Sequence, residues 1–199
     1  VGRGCRHGCR YCSITAFHGR TYRARPLDSV LSELRSLPRD LMFVDDNIIA
    51  DPEAARRLFT AMIPMRKRWV SQCSIEIADD ENLLRLARRA GCLGLFIGVE
   101  TLSAANLHAV GKGFNERDPR LRIARIRAAG IGVIAGIIVG MDDDDTGTFE
   151  RMLRYLDETS IDAIQVNIMT PLPGTPLHDQ MDRASRVLDR DWRHYDFRH

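Results

Sequence analysis

Short apolar runs alternate along the chain with longer amphipathic stretches, and this alternation predicts its secondary structure. The apolar runs are rich in Val, Ile, Leu and Phe, as expected of strands that are buried on both faces. Regular alternation of such strands with helices is typical of βα units, whose strands form a parallel sheet. We therefore predict an α/β fold with parallel strands at residues 41–44, 72–77, 93–99, 132–139 and 163–169.

The amphipathic stretches carry residues that commonly begin and end helices. Asp51, Pro52 and Glu53 supply an N-cap, a proline at the first helical position and an acid in the first turn. Gly91 and Gly130 each follow a helical run rich in Arg and Ala, so both are predicted to end a helix. Acidic and hydroxyl residues open two further predicted helices, near residues 80–90 and 146–158, the second at Asp145.

The composition indicates one globular domain. The chain has 199 residues, of which 44% are hydrophobic and 28% charged, with a formal net charge of +2. No apolar run approaches the roughly 20 residues of a membrane span, and the beginning of the sequence lacks the apolar core of a signal peptide. We therefore expect no membrane span and a cytoplasmic location.

Three of the five cysteines form a compact CxxxCxxC triplet, Cys5, Cys9 and Cys12. They are too crowded for a disulfide framework and five is an odd number, so a reducing compartment is expected. A structural zinc or a closed iron–sulfur centre takes four protein ligands, whereas this triplet supplies three. Gly4 and Gly8 allow the backbone to curl around a metal centre. The spacing indicates a cluster with one iron free for a substrate or cofactor.

The residues around the triplet are strongly basic. Residues 1–27 contain six arginines and no acid, and cations beside the cysteines would favour the thiolate form. A solvated basic segment or a nucleic-acid arm is the alternative for the outer arginines. No stripe of aromatic and basic residues follows, so we expect no nucleic-acid partner. The six are Arg3, Arg6, Arg10, Arg20, Arg23 and Arg25.

The triplet, with the aromatic Tyr11 before its last cysteine, resembles the signature of the radical S-adenosylmethionine (SAM) superfamily. The resemblance implies a partial (β/α)6 TIM-like barrel of parallel strands, with functional loops at their carboxyl ends. It also implies a 4Fe–4S cluster on Cys5, Cys9 and Cys12, with SAM chelating the fourth iron and Tyr11 among the cofactor-binding residues. One electron then cleaves SAM to methionine and a 5′-deoxyadenosyl radical, which abstracts hydrogen from the substrate.

The same resemblance assigns SAM contacts to polar residues that follow the predicted strands. Asp45, Asp46 and Asn47 stand where the family has a polar motif that contacts the amino group of SAM. The sequence departs there from the more widespread Gly-Gly-Glu, which leaves open which of the three makes the contact. Asp and Asn are also common in any turn between a strand and a helix, and this is the alternative for all three.

Further contacts are implied after later strands. Glu100 matches an acid that accepts hydrogen bonds from the ribose hydroxyls of SAM, with helix capping as the alternative. Lys112 lies where related sequences carry a basic residue facing the SAM carboxylate, although solvated lysines are common. Residues 136–143 resemble a GxIxGxxE motif, which places the adenine near Ile138 and Gly140. The acidic run that follows lacks the ligand spacing of an EF-hand and is predicted to cap a helix.

Several loops resemble one branch of the superfamily, whose members often carry an N-terminal cobalamin-binding domain. That branch includes hopanoid and other C-methylases and neighbours the anaerobic ring cyclases. Only four residues precede Cys5, so we expect a fragment of the catalytic core from which the first strand is missing. The core is predicted at residues 1–176, with a C-terminal extension at residues 177–199 that leads into a missing segment. The loops concerned include residues 43–47, 170–175 and 192–196.

These inferences predict a radical SAM enzyme that modifies an unactivated carbon, by cobalamin-dependent methyl transfer in the intact protein. Cobalamin would come through a domain absent from this chain, and no catalytic side chain is assigned. The expected partners are a small-molecule or lipid-like substrate and a reductant such as flavodoxin or ferredoxin. The alternatives are a methylthiotransferase or ring cyclase on the same core, or a non-catalytic iron–sulfur or zinc module. His7 and His18 would be the zinc partners, although their spacing is unlike that of zinc ribbons.

Overall fold

The computed structural model describes residues 1–116 and 119–197 of the chain. Its strands are β1 (Gly2–Gly4), β2 (Tyr22–Ala24), β3 (Asp40–Phe43), β4 (Arg68–Cys73), β5 (Cys92–Glu100), β6 (Gly132–Val139) and β7 (Ala163–Ile168). Its α-helices are α1 (Ser13–His18), α2 (Leu27–Ser36), α3 (Pro52–Met62), α4 (Glu81–Arg89), α5 (Ala104–Ala109), α6 (Pro119–Ala128), α7 (Thr148–Glu158) and α8 (Pro176–Arg183). Short 3₁₀ turns occupy Ile63–Met65, Ile75–Asp79, Gly113–Asn115 and Trp192–His194.

Strands β3 to β7 form a parallel sheet in sequence order, curled into a half-barrel. This confirms the prediction of an α/β fold of partial-barrel type. Within the described residues the sheet has five strands, one fewer than the resemblance implies, and β3 forms one of its edges. Because all five strands run in the same direction, the loops at their carboxyl ends gather at one end of the half-barrel.

The two faces of the sheet differ in their surroundings. Side chains of successive residues in a strand point to opposite faces. In β6, Val133, Ala135 and Ile137 are fully buried on the face that the helices cover, whereas Ile134 is exposed on the concave face. The hydrophobic core therefore lies between the sheet and the helices, and the concave face is open to other molecules.

Four of the five predicted strands agree with the structure to within one residue at either end. The prediction at residues 72–77 was wrong in position, because β4 runs from Arg68 to Cys73 and a 3₁₀ turn follows it. Ile75 and Ile77 in that turn are both buried, so their alternation with polar residues imitates a strand. β4 begins at Arg68, a charged residue that does not resemble the start of an apolar run, so the prediction missed the first residues of the strand.

The segment before the cysteines adopts an arrangement that the sequence does not predict. β1 pairs antiparallel with β2, with Arg3 directly opposite Arg23. The buried carboxylate of Asp45, just beyond β3, accepts hydrogen bonds from the Val1 nitrogen at 2.9 Å and the Gly2 N–H at 2.6 Å. Asp45 thereby fixes the path by which the chain reaches Cys5.

The helix boundaries follow the capping signals of the sequence. The Asp51 side chain accepts hydrogen bonds from the backbone N–H groups of Glu53 and Ala54, both at 3.1 Å, and α3 begins there. Gly91 and Gly130 have φ of +97° and +78°, which confirms their predicted place at helix ends. Over the described ranges, none of the helices has both the length and the apolar character that crossing a bilayer requires.

We expect Gly91→Ala to destabilise the fold more than Gly19→Ala. Both glycines have positive φ, +97° and +66°, and alanine in that region costs about 1–2 kcal/mol. A Cβ at Gly91 would also overlap the carbonyl oxygen of Lys67, whereas a Cβ at Gly19 has no described atom within 4 Å. Urea unfolding should therefore show an additional loss of about 2 kcal/mol or more for Gly91→Ala. Equal losses would contradict the close packing of this turn on β4.

Candidate cluster and cofactor site

A cavity of about 220 Å³ lies where the carboxyl ends of the strands meet. All three cysteines of the triplet line it, together with several residues from the loops after β3 and β5. Five of the predicted cofactor-binding residues are among them: Tyr11, Asp46, Asn47, Glu100 and Lys112. The fold thus brings together groups that are as much as a hundred residues apart in the chain.

The cysteine loop, residues 5–12, is held by backbone hydrogen bonds to distant elements. The N–H of Arg10 donates to the carbonyl of Val110 at 2.9 Å, and the Arg10 carbonyl accepts from the N–H of Leu177 at 3.0 Å. Inside the loop, the N–H of Cys12 donates to the carbonyl of Cys9 at 3.2 Å. The loop is therefore clamped between the end of α5 and the start of α8.

Burial dominates the ionisation of two thiols of the loop, Cys9 and Cys12. It raises the pKa of Cys9 to about 11 and also raises the pKa of Cys12. Lys112 is the cation that most lowers the pKa of Cys9, and the N–H groups of Ile14 and Thr15 lower that of Cys12. For Cys9, desolvation is the largest influence and Lys112 is the leading cation. The effect of the neighbouring arginines on cluster-bound thiolates stays a prediction.

The donor set fits an iron–sulfur cluster better than a zinc ion. Among the described residues, no group of three His, Cys, Asp or Glu side chains is spaced to hold a single metal ion. The thiolates of a cubane bind separate irons, so they stand farther apart than the ligands of one ion. His7 pairs with Glu76 at 2.9 Å and stacks on Phe114 at 4.2 Å between ring centres, while His18 lies 3.1 Å from Arg23. Both candidate zinc partners are therefore engaged elsewhere.

A fourth thiol, Cys73 at the end of β4, also lines the cavity. Cys73 and Cys92 are both buried, as the sequence predicts for small residues in apolar runs, but no motif placed Cys73 beside the triplet. Burial raises the pKa of Cys73 well above its usual range, and its Sγ lies 3.3 Å from the carbonyl oxygen of Ser74. Because burial also raises the pKa of Cys9, the pKa does not separate the two thiols. Cys73 is set apart by lying outside the CxxxCxxC triplet.

Glu100 reaches the cavity through an irregularity at the end of β5. The register of β5 against β6 shifts between Gly98 and Glu100, and Glu100 has φ of +70°. Such backbone is uncommon for a residue with a side chain and is enriched at functional sites. The carboxylate forms an ion pair with Lys112, whose ammonium also donates to the carbonyl of Gly98 at 3.1 Å. Tyr11 hydrogen-bonds to the same carboxylate, and its pKa is raised mainly by burial.

The two acids after β3 face different surroundings. Asp45 does not line the cavity, and its carboxylate is taken up by the backbone nitrogens of Val1 and Gly2. Asp46 does line the cavity and accepts one hydrogen bond, from the N–H of Gly4 at 2.8 Å. Since a carboxylate has about four acceptor positions, Asp46 retains capacity for a ligand.

Asn47 is buried on the wall of the cavity. Its Oδ1 accepts hydrogen bonds from the backbone N–H groups of Ile49 at 3.3 Å and Ser74 at 3.1 Å. Its Nδ2 points towards the triplet and lies 4.0 Å from the Sγ of Cys5. Asn47 thus combines the turn role that its residue type suggests with a position beside a cysteine.

The predicted adenine contacts lie outside this cavity. Neither Ile138 nor Gly140 lines it, and Gly140 donates its N–H to Asp144 at 2.8 Å. Asp145 accepts a hydrogen bond from the N–H of Gly147 at 2.9 Å, and Gly147, not Asp145, is the N-cap of α7. The acidic run therefore shapes the turn before α7, while the adenine contact stays a prediction.

Two residues of the site have no sequence motif. Phe114 lines the cavity and stacks on His7. The Nδ2 of the buried Asn115 donates to the carbonyl of Gly98 at 2.8 Å, an acceptor that it shares with Lys112. Their nearness to Lys112 in the chain is the sole signal that could have indicated them.

The comparisons with known proteins agree with this geometry. The model of the radical SAM superfamily matches residues 1–182. The hopanoid C-2 methylase of Rhodopseudomonas palustris is 31% identical over 94% of this chain and 38% of its own length. The bacteriochlorophyllide d C-12(1)-methyltransferase of Chlorobaculum tepidum is 29% identical over 99% of this chain and 44% of its own length.

A solved structure shares the fold. The radical SAM methyltransferase TsrM from Kitasatospora setae, with cobalamin and a 4Fe–4S cluster bound, superimposes with a TM-score of 0.83 at 19% identity, over 94% of this chain and 39% of TsrM. The chain therefore spans about two fifths of the length of these relatives, 38% to 44%. From the match over residues 1–182, the chain belongs to the radical SAM superfamily.

Proposed function

We propose that this chain binds a 4Fe–4S cluster through Cys5, Cys9 and Cys12 and binds SAM beside it. The observation that carries the proposal is that the three thiols share one cavity with Glu100, Lys112 and Asp46. The Asp46 carboxylate still has free acceptor positions. The superfamily binds both cofactors, and these groups fit them. When both are bound, one electron from the cluster cleaves SAM, and the resulting 5′-deoxyadenosyl radical abstracts hydrogen from a substrate.

The network around Glu100 would orient the ribose of SAM. Its carboxylate can accept hydrogen bonds from two hydroxyl groups, while Tyr11 and Lys112 hold it in place. The ammonium of Lys112 has three donors, of which Glu100 and the carbonyl of Gly98 use two. The third donor is available to the carboxylate of SAM.

For the amino group of SAM, Asp46 is the acceptor that the geometry favours. The sequence leaves Asp45, Asp46 and Asn47 as candidates. Asp45 is occupied by backbone nitrogens away from the cavity, and the Oδ1 of Asn47 already accepts two hydrogen bonds. Asp46 accepts a single one and lines the cavity.

For the intact protein we propose methyl transfer to an unactivated carbon, with cobalamin supplied by a domain outside this chain. The support is that methylases and methyltransferases are prominent among the similar proteins. A ring cyclase is the second candidate, since a cyclase is also among them. Ribosomal protein uS12 methylthiotransferases are also among them. The second cluster of such an enzyme would need ligands from outside this chain, because Cys73 and Cys92, its remaining cysteines, are buried in the core.

The concave face of the half-barrel is the surface on which we propose the substrate lies. Met42 and Val44 of this face are 67% and 68% exposed, and Ile134 is also exposed. Gln165 and Asn167 of β7 add two amide groups to the same face. An apolar floor with few polar groups suits a small molecule that is largely apolar or lipid-like.

Three further points remain proposals. A cytoplasmic location is supported by the five free cysteines, which suit a reducing compartment. The electron would come from a reductant such as flavodoxin or ferredoxin. The division between a core at residues 1–176 and an extension at residues 177–199 falls within α8, whose Leu177 holds the cysteine loop, so we assign Pro176–Arg183 to the core.

Anaerobic reconstitution of the intact protein with iron and sulfide, followed by dithionite and SAM, should yield 5′-deoxyadenosine and methionine. About four irons per chain are expected for a cubane. Liquid chromatography would measure the products, with Cys9→Ala as the control that forms none. A fully loaded chain that leaves SAM intact would refute the proposed reaction.

Cys9→Ala should abolish cluster binding, whereas Cys73→Ala should leave the iron content unchanged. The reason is that Cys9 belongs to the CxxxCxxC triplet, while Cys73 comes from the end of β4 and its Sγ lies 3.3 Å from the carbonyl oxygen of Ser74. Iron and sulfide assays with visible absorption would compare the two variants, and circular dichroism would confirm that both fold. Loss of iron from Cys73→Ala would identify a fourth protein ligand and remove the place for SAM.

Gly98→Ala should weaken SAM binding at least tenfold, whereas Gly94→Ala should change it by less than about twofold. Both glycines lie on the concave face of β5. A Cβ at Gly98 would overlap Oε1 of Glu100 and lie 2.7 Å from Nζ of Lys112, but the nearest atom to a Cβ at Gly94 is 3.6 Å away. Calorimetric titration of SAM into cluster-loaded protein would measure the difference. Similar affinities at equal iron content would exclude a role for this ion pair.

A further inference from the structure

The arginines near the cysteine loop take no part in the chemistry proposed above, and most of them lack an acidic partner. Arg6 and Arg25 form ion pairs with acids farther along the chain. Elsewhere, Arg151 and Arg186 are each paired with an aspartate. Within residues 1–116 and 119–197, no ion pair involves four arginines of the first 27 residues: Arg3, Arg10, Arg20 and Arg23.

Two of these arginines lie on the side of the cysteine loop that faces solvent. Arg20 packs directly on Gly8, where an added Cβ would overlap its Nε and lie 2.5 Å from its Cζ. Arg10 extends from the loop to Gln180 of α8, donating a hydrogen bond to Oε1 at 2.8 Å. Neither lines the cavity that the three thiols share. Arg10 and Arg20 thus lie against the cysteine loop without entering that cavity.

The β1–β2 hairpin continues this positive surface. Arg23 stands directly opposite Arg3 in the antiparallel pair, an arrangement that is unfavourable for like charges. A nitrogen of the Arg23 guanidinium lies 3.1 Å from Nδ1 of His18, at the end of α1. Phe17, the residue before His18, is 81% exposed. Cations opposite one another in the hairpin, together with an exposed aromatic side chain one residue from His18, suit an anionic partner.

We propose that Arg10, Phe17, Arg20 and Arg23, the loop surface, form the docking site of an acidic protein that delivers one electron to the cluster. This inference rests on the proposed function, because it presumes a cluster on the inner side of the loop. The carrier loses one electron and the cluster gains it, with no proton or atom transferred. Protein interfaces are enriched in exposed aromatic residues and arginine, and opposite charge accelerates the encounter.

A nucleic acid would also be attracted by these charges, but the surface suits it less well. Single strands bind along rows of aromatic side chains that stack on successive bases. In the loop surface, Phe17 is the one aromatic residue. We therefore assign the surface to a protein carrier and treat nucleic-acid binding as an outcome that would overturn the assignment.

The experiment compares Arg20→Glu/Arg23→Glu with Arg35→Glu/Arg39→Glu. The control pair is exposed and lies at the amino end of β3, the opposite end of the sheet from the cysteine loop. Oxidised flavodoxin is the probe for binding at low salt, and its hydroquinone is the probe for electron transfer. We expect the first variant to weaken binding and slow cluster reduction by flavodoxin at least about tenfold, with a difference that shrinks as salt rises.

Reduction by dithionite and the iron content should be unchanged in both variants, and the control should bind flavodoxin like the parent chain. Arg20→Gln/Arg23→Gln makes half the charge change of Arg20→Glu/Arg23→Glu, so its flavodoxin affinity should lie between that of the parent chain and that of the glutamate variant. A graded loss of this kind would not be expected from a folding defect in the glutamate variant. Unchanged flavodoxin binding in both loop-surface variants would overturn the proposal. Preferential binding of a single-stranded 20-mer oligonucleotide that flavodoxin does not displace would do the same.

Failure of the proposed function would be seen separately. The binding measurement needs no cluster. If the parent chain does not cleave SAM with dithionite, but Arg20→Glu/Arg23→Glu weakens flavodoxin binding, the docking surface is supported and the proposed SAM chemistry is refuted. If SAM is cleaved normally with dithionite, but the variant binds flavodoxin as tightly as the parent chain does, the SAM chemistry is supported and this docking surface is excluded.

Discussion

The cysteine loop has little secondary structure of its own, so its shape depends on hydrogen bonds that distant elements supply. Asp45 holds the chain ahead of the loop, and Val110 and Leu177 hold the backbone of Arg10 within it. These residues belong to separate parts of the fold, and they meet because parallel strands end at one edge of the sheet. The position of the three thiols is therefore a property of the whole half-barrel and not of the CxxxCxxC spacing alone.

Burying the ion pair of Glu100 and Lys112 lowers the stability of the fold, and the packing of the core does not require this pair. Both side chains are about nine-tenths buried, and removing two charges from water is unfavourable unless their pairing compensates. The positive φ of Glu100 adds strain of order 1–3 kcal/mol. The core on the other face of β5 is complete without either, since Leu95 and Ile97 pack there. Buried, strained acids in cavities are enriched at functional sites, and this supports the ribose contact proposed for Glu100.

How far the sequence predicts this molecule depends on what a residue pattern can record. Apolar runs report burial, so β6 was predicted with its observed bounds, whereas β4 was displaced because Ile75 and Ile77 are buried without being in a strand. The triplet and Glu100 were found because motif and strand end coincide. Two other features were not predicted: the Asp45 carboxylate binds the backbone nitrogens of Val1 and Gly2, and Cys73 lines the cavity. Both arise from contacts between segments far apart in the chain.

The charges near the cysteine loop differ in how far solvent screens them. Inside, the effective dielectric is low, so a single ammonium at Lys112 lowers the pKa of Cys9 more than any other charge. Outside, the guanidinium groups of Arg20 and Arg23 are exposed, and solvent and salt screen their effect on the interior. Charges in that position contribute little to a buried site but attract molecules that approach from solution.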